Sequence, residues 1–277
     1  VWTHELKFRR ARKYLKKLEI EVERWVHDGG YSIRVDPDPE PPTYLVWAKN
    51  IRRPPDSIAL LVGDCLYNAR AALEYIAHEL GDVGAGGEMT AEQSKNSTFP
   101  IIGDKDGKGF TGRGPDLFEV AAKQHLSTVT PDARAAIKRL QPFYEGDIWD
   151  YNDLWTLNSL ARLDRHRFPH FGAVRSERIE LDRSCSRNIK IERIDHFRGA
   201  IEPDLEDRAD LARVVAHPAS PNEKMDMHFT NGLAITFATD ETIPAAEGEE
   251  VLWVMRSIVR GVGNALKELR PFLSETP

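Results

Sequence analysis

Between residues 57 and 80, Ile58, Val62, Cys65, Leu66, Ala69, Ala72, Leu73, Ile76 and Leu80 recur at helical intervals. At about 100° per residue they share one broad arc, and Asp64, Tyr67, Asn68, Arg70, Glu74, Tyr75 and His78 share the other. The pattern predicts one long two-faced helix, capped by Asp56 or Ser57 and stopped at Gly81. Ala69 and Ala72 are small enough for a neighbouring helix to approach, and Gly261 and Gly263 nominate the C-terminal helix for that place.

The same spacing predicts a helix over 3–27, carried by Leu6, Tyr14, Leu18, Val22 and Trp25 and ended by Gly29 and Gly30. Two short β-like runs, Tyr31–Val35 and Tyr44–Lys49, flank a proline-rich turn and read as a hairpin over 31–49. Residues 81–115 read as a long loop with the apolar island Phe99–Ile102 pinned to the core. Helices are expected over 116–125, Pro131–Leu140 and Asp150–His166, and a last one over Glu247–Phe272 with an acidic first turn. Between them Phe171–Val174, Ile189–Ile194, Met227–Phe229 and Leu233–Phe237 read as strands. The expected fold is α+β and mainly helical, one domain over 1–277. Its helical core spans 1–27, 57–80, 116–166 and 247–274, with the N-terminal hairpin and a β-rich insertion at 171–240 before the C-terminal helix.

Composition changes this picture little. Hydrophobic residues make up 41% and charged residues 30% of the 277, an ordinary globular balance with no apolar run of membrane-spanning length. No signal region is evident, and Cys65 and Cys185 stand too far apart for a metal or redox motif, so a soluble cytoplasmic protein with reduced thiols is expected. A net charge of −6 argues against a surface built wholly for nucleic acid. Residues 7–17 nevertheless carry seven cations and no acid, and 162–198 are also rich in arginine. Solvated helix faces account for such runs as readily as a basic binding surface does.

The polar arc of helix 57–80 is the candidate site. It holds no lysine, unlike an ordinary solvent-facing coat, and Tyr67, Arg70, Glu74 and His78 follow one another at spacings of three and four. They are placed to line a groove; alternatively a second helix or the 81–115 loop covers them. In the helix ending LARLDRHRFPH, Asp164 falls among apolar positions and needs a partner, for which Arg70 and Arg167 are the candidates. Asn158, Arg162, Arg165 and His166 form a polar strip beside it. His166 and His170 are four apart, but Pro169 interrupts the helix and no third ligand is near, so no metal and no cofactor is expected.

GDCLYNARAALEYIAHEL, with the TFPI island, the LQPF helix end and the L-x-x-x-D-[KR]-H-R helix at 160–167, resembles a group of bacterial and phage proteins with a HEPN-like signature helix. HEPN domains are small helical bundles, many of them metal-independent ribonucleases with sites formed at a dimer interface. Asn68 and Arg70 match their motif loosely; Asn68 stands one residue early and His78 one residue beyond the longest spacing. The resemblance implies Arg70 as the stabiliser of phosphate charge and His78 or His166 as the proton carrier. Asp64, Tyr67, Asn68, Glu74, Tyr75, Arg162 and Arg165 would then contact a ligand. It also implies RNA or a nucleotide as partner and a homodimer, while the short apolar runs predict no membrane partner. Three readings stay open: a non-catalytic HEPN-like module binding a nucleotide, RNA or protein through this face; a ribonuclease or toxin in phage defence; and a structural protein whose polar face is internal wiring.

Overall fold

The structure is a computed structural model that describes residues 2–28, 30–40, 42–103, 113–166, 170–175, 179–197, 200–201, 208–230, 232–238 and 243–273. Among the described residues, seven α-helices and nine strands make an α+β, mainly helical arrangement. In chain order they are α1 (Thr3–Asp28), β1 (Ser32–Pro37), β2 (Thr43–Lys49), α2 (Asp56–Ala85), α3 (Ala91–Asn96), α4 (Gly114–His125), α5 (Pro131–Arg139) and α6 (Asp153–His166). There follow β3 (His170–Arg175), β4 (Glu180–Leu181), β5 (Ile189–His196), β6 (Ala200–Ile201), β7 (Arg208–Pro218), β8 (Phe229–Thr230), β9 (Leu233–Ala238) and α7 (Val251–Leu269).

The two-faced helix is α2, and every residue of its predicted apolar arc is buried. Its ends differ from expectation. Pro55 holds an extended backbone before the first turn and no side chain caps it; Ser57 donates instead to Glu21 Oε1 (3.1 Å). The helix runs past Gly81 to Ala85 and ends at Gly86, which adopts φ +74°, a left-handed conformation that glycine tolerates best. Gly81 and Gly84 are not stops but contact points. A Cβ on Gly84 would lie 2.0 Å from the Thr128 carbonyl oxygen, and one on Gly81 would meet Met89 and Thr128. The stretch expected as loop also contains α3, opened by a capping box in which Thr90 and Gln93 bond each other's backbone N–H.

The closest neighbour of α2 is α1 and not the C-terminal helix. Ala11 of α1 is fully buried, and its carbonyl accepts from the Cys65 Sγ–H at 3.4 Å. Burial pushes that thiol up to about 12, which keeps it unreactive. Both cysteines are free, Cys185 being exposed. The glycines of α7 serve other partners: Gly261 lies against the Asp153 side chain and Gly263 against Phe8. Glu79, near the end of α2, is buried and binds the start of α1, accepting from Thr3 N–H (2.8 Å), from His4 N–H (3.3 Å) and from the His4 ring. It supplies an acceptor to helix N–H groups that no intrahelical carbonyl reaches.

The hairpin and much of the insertion form one antiparallel sheet, in the order β1-β2-β7-β5. Its longest member, β7, was not anticipated from periodicity. Val46 faces Ala212 and Trp47 faces Asp210, so Leu211 is an extra residue in the strand. This bulge lets Ala209, Leu211, Ala212, Val214 and Ala216 all be buried, which no strict alternation of two would predict. The remaining strands form the sheets β6-β3-β9 and β4-β8. A kinked 3-10 stretch, Pro142–Tyr151, occupies the start expected for α6. The acids before α7 lie in a turn tied to β9, where Phe237 N–H donates to Glu249 O (3.1 Å), and none falls in the first turn of α7. Among the described residues no helix is long and apolar enough to cross a membrane.

Candidate functional site

The outer arc of α2 divides into two regions with different roles. The first is a bracket. Glu74 Oε1 pairs with Arg70 Nη2 (2.7 Å), and Glu74 Oε2 accepts from Thr98 Oγ1–H (2.5 Å) and Phe99 N–H (2.8 Å). Arg70 Nη2 also donates to the Phe99 carbonyl at 2.9 Å. The TFPI island is thereby held by its backbone while the Phe99 ring is fully buried. Its other end is held by Gln141, whose Oε1 accepts from Ile102 N–H (2.9 Å) and whose Nε2 donates to Ile137 O (3.0 Å). The loop thus covers part of the polar face.

The second region is open. Tyr67, Arg70, Ala71, Glu74 and Tyr75 of α2, with Ala161 and Asp164 of α6, line a cavity of about 360 Å³. Asp164 reaches it because residue 63 is glycine: a Cβ there would lie 2.7 Å from Asp164 Oδ1. The Asp164 carboxyl titrates above the usual aspartate range, first because it is partly buried and then because the Asp64 carboxylate is near. Arg70 shares the cavity with it, while Arg167 lies outside the described residues.

Beside the cavity, α1 lays cations against the tyrosines. Lys7 Nζ stands 5.3 Å from the Tyr67 ring centre and 5.7 Å from that of Tyr75. One turn on, Arg10 lies 5.7 Å from the Tyr14 ring and donates to its hydroxyl (3.3 Å), and Lys17 Nζ is 5.3 Å from the same ring. Arg10 is held above its ordinary value by the Tyr14 hydroxyl and, more weakly, by Asp64. Lys7, Arg10, Tyr14 and Lys17 follow at intervals of three, four and three, so they share one stripe of α1. The order along the seam is aromatic and cationic by turns. Tyr67 is 63% exposed and Tyr75 41%, so both rings remain open to a ligand.

The structure therefore brings together Tyr67, Arg70, Glu74, Tyr75 and Asp164, with Asp64 at the edge. It places other candidates elsewhere. His78 is outside the cavity lining; its Nε2 is 2.8 Å from Ser94 Oγ and its Nδ1 3.2 Å from Asp82 Oδ2. Asn68 is buried, with its Nδ2 donating to Asp64 O (2.7 Å) in the preceding turn of its own helix. Arg162 is exposed on α6 away from the lining. The side chains of Arg165 and His166 lie outside the described residues.

Sequence reasoning missed Gln141 and Glu79, whose roles depend on partners far along the chain. It noted the basic run 7–17 without linking it to the tyrosines, since that link is set by the register of α1 on α2. Comparison with known proteins finds no family model, no curated protein and no solved structure that matches the chain.

Proposed function

We propose that this protein is a non-catalytic module that binds single-stranded RNA along the α1–α2 seam. The observation that carries the reading is the alternation of Tyr75, Lys7, Tyr67, Arg10, Tyr14 and Lys17 along two packed helices. Single strands are held sequence-tolerantly by bases stacking on aromatic rings beside cations that follow the phosphates. The exposed rings of Tyr67 and Tyr75 and the partly buried ring of Tyr14, flanked by lysine and arginine, supply both functions at adjacent positions. The acidic total is compatible with this, because Lys7, Arg10 and Lys17 make one stripe of α1 locally basic. The HEPN-like kinship of the signature helix belongs to the same proposal. The ribonuclease reading receives less support, since Arg70 is engaged by Glu74 and Phe99 and His78 by Ser94 and Asp82.

The test is fluorescence anisotropy with a labelled oligouridine of about twelve nucleotides, a length within the usual range for such surfaces. Binding is expected, and it weakens as salt rises. The Tyr67→Ala, Tyr75→Ala double variant should lose about tenfold or more, from stacking worth about 1–3 kcal/mol per base. Lys7→Ala should reduce the slope of log affinity against log salt by about 0.7. Equal binding by the double variant, or none by the parent at low salt, sinks the proposal. Cleavage of the RNA that disappears in Arg70→Ala would replace it with the nuclease reading.

A further inference from the structure

Among the described residues β1 pairs with β2 on one side only, so it forms an edge of the four-stranded sheet. Along its free side, Tyr31, Ser32, Ile33, Arg34 and Val35 line a cavity of about 430 Å³ whose opposite wall is Met227–Thr230. The backbone pairing described for that wall goes elsewhere: Phe229 and Thr230 to β4, and His228 O to Asp182 N–H (2.8 Å). Strand β1 and the segment that ends in the two-residue strand β8 thus border one slot. A strand residue takes up about 3.3 Å of length, 4.8 Å of width and 10 Å of depth, so the slot has room for about three of them.

We propose that this slot receives a short, extended, acidic peptide of a partner protein, added as a strand beside β1. Val26, Ile33, Val35, Met227 and Phe229 add apolar side chains to a lining that is mostly polar. Among the described residues, the ionisable side chains of the lining are His27, Arg34, His228 and Tyr31, with no carboxylate. Asp226 stands just outside, 3.3 Å from the His228 ring. Tyr31 borders the slot with its hydroxyl already used, accepting from Leu233 N–H (3.1 Å). An occupant that alternates apolar and acidic residues matches both features, because successive strand side chains point to opposite faces. Arg34 also selects among occupants. It sits near the middle of β1, so pairing this edge with its copy would bring two Arg34 side chains together, whereas an acidic strand answers the charge.

The experiment uses the full chain and a fluorescein-labelled hexapeptide of alternating Glu and Val, followed by anisotropy and by hydrogen exchange of β1. Saturable binding and slowed exchange of the Ser32–Val35 amides are expected. Alternate backbone N-methylation of the peptide and the Arg34→Glu variant should each weaken binding about tenfold or more, a loss of 1.4 kcal/mol per tenfold. The Gln-for-Glu peptide should bind the parent chain more weakly and respond little to Arg34→Glu. No binding, equal binding by the N-methylated peptide, or equal binding by the Gln peptide overturns the proposal. A concentration-dependent dimer that itself slows β1 exchange also overturns it, assigning the edge to a second copy.

Discussion

Glu79 shows how much one side chain can organise. Its carboxylate meets two backbone N–H groups and the His4 ring in a buried setting, so removing it strands several polar groups at once. Glu79→Ala is expected to cost about 3 kcal/mol, within the range for breaking buried charged hydrogen bonds. Urea unfolding checks this, and a loss under about 1 kcal/mol would mean that water replaces the carboxylate at little cost. Asp164 behaves oppositely, because the fold disfavours its charge. Its carboxyl titrates above the usual value of 3.8. Between the unfolded and folded values the folded chain holds more protons, so stability falls as pH rises through that window. Asp164→Asn removes this slope. Relative to the parent, the variant should gain melting temperature between pH 4 and pH 7, and an unchanged gap would refute the assignment.

At the scale of elements, helix ends and sheet register mark where pattern reading succeeds and where it stops. The apolar arc of α2 was fully legible because burial on one face of a helix leaves a local signature. The extension past Gly81 was not. In sequence Gly81 looks like a terminator, yet it lies against the Met89 and Thr128 side chains, and Gly84 lies against the backbone of residues 128–130. Gly84→Ala is therefore expected to destabilise by about 1–3 kcal/mol, against the stabilisation that alanine brings to an open helical site. Thermal unfolding decides the sign. Strand β7 stayed hidden for a related reason: the bulge at Leu211 shifts which face is buried, and only the partner strand reveals it. Of the candidate site, Tyr67, Arg70, Glu74 and Tyr75 were legible as residue types on one face of α2, while Asp164 was legible only as a carboxylate among the apolar positions of α6. That Glu74 and Arg70 spend their hydrogen bonds on Thr98 and Phe99 was not, because the island lies some 25 residues away.

In the whole molecule, α1 contributes to three things at once: it covers the apolar arc of α2, lays its cations on the tyrosines, and receives Glu79 at its first turn. The hairpin shares one sheet with β5 and β7, so that sheet is built from distant pieces of the chain. The proposed RNA strip and the proposed peptide slot draw on different elements, α1–α2 for one and β1 with residues 227–230 for the other. Their tests therefore fail or succeed independently. The grip of Glu79 on Thr3 and His4 has a thermodynamic consequence for the strip. With the start of α1 anchored, Lys7 is held over Tyr67 and Tyr75 before any ligand arrives, and the ordering entropy of association falls mainly on the incoming strand. Loosening that anchor should weaken association by making the cation–ring array something the ligand must assemble.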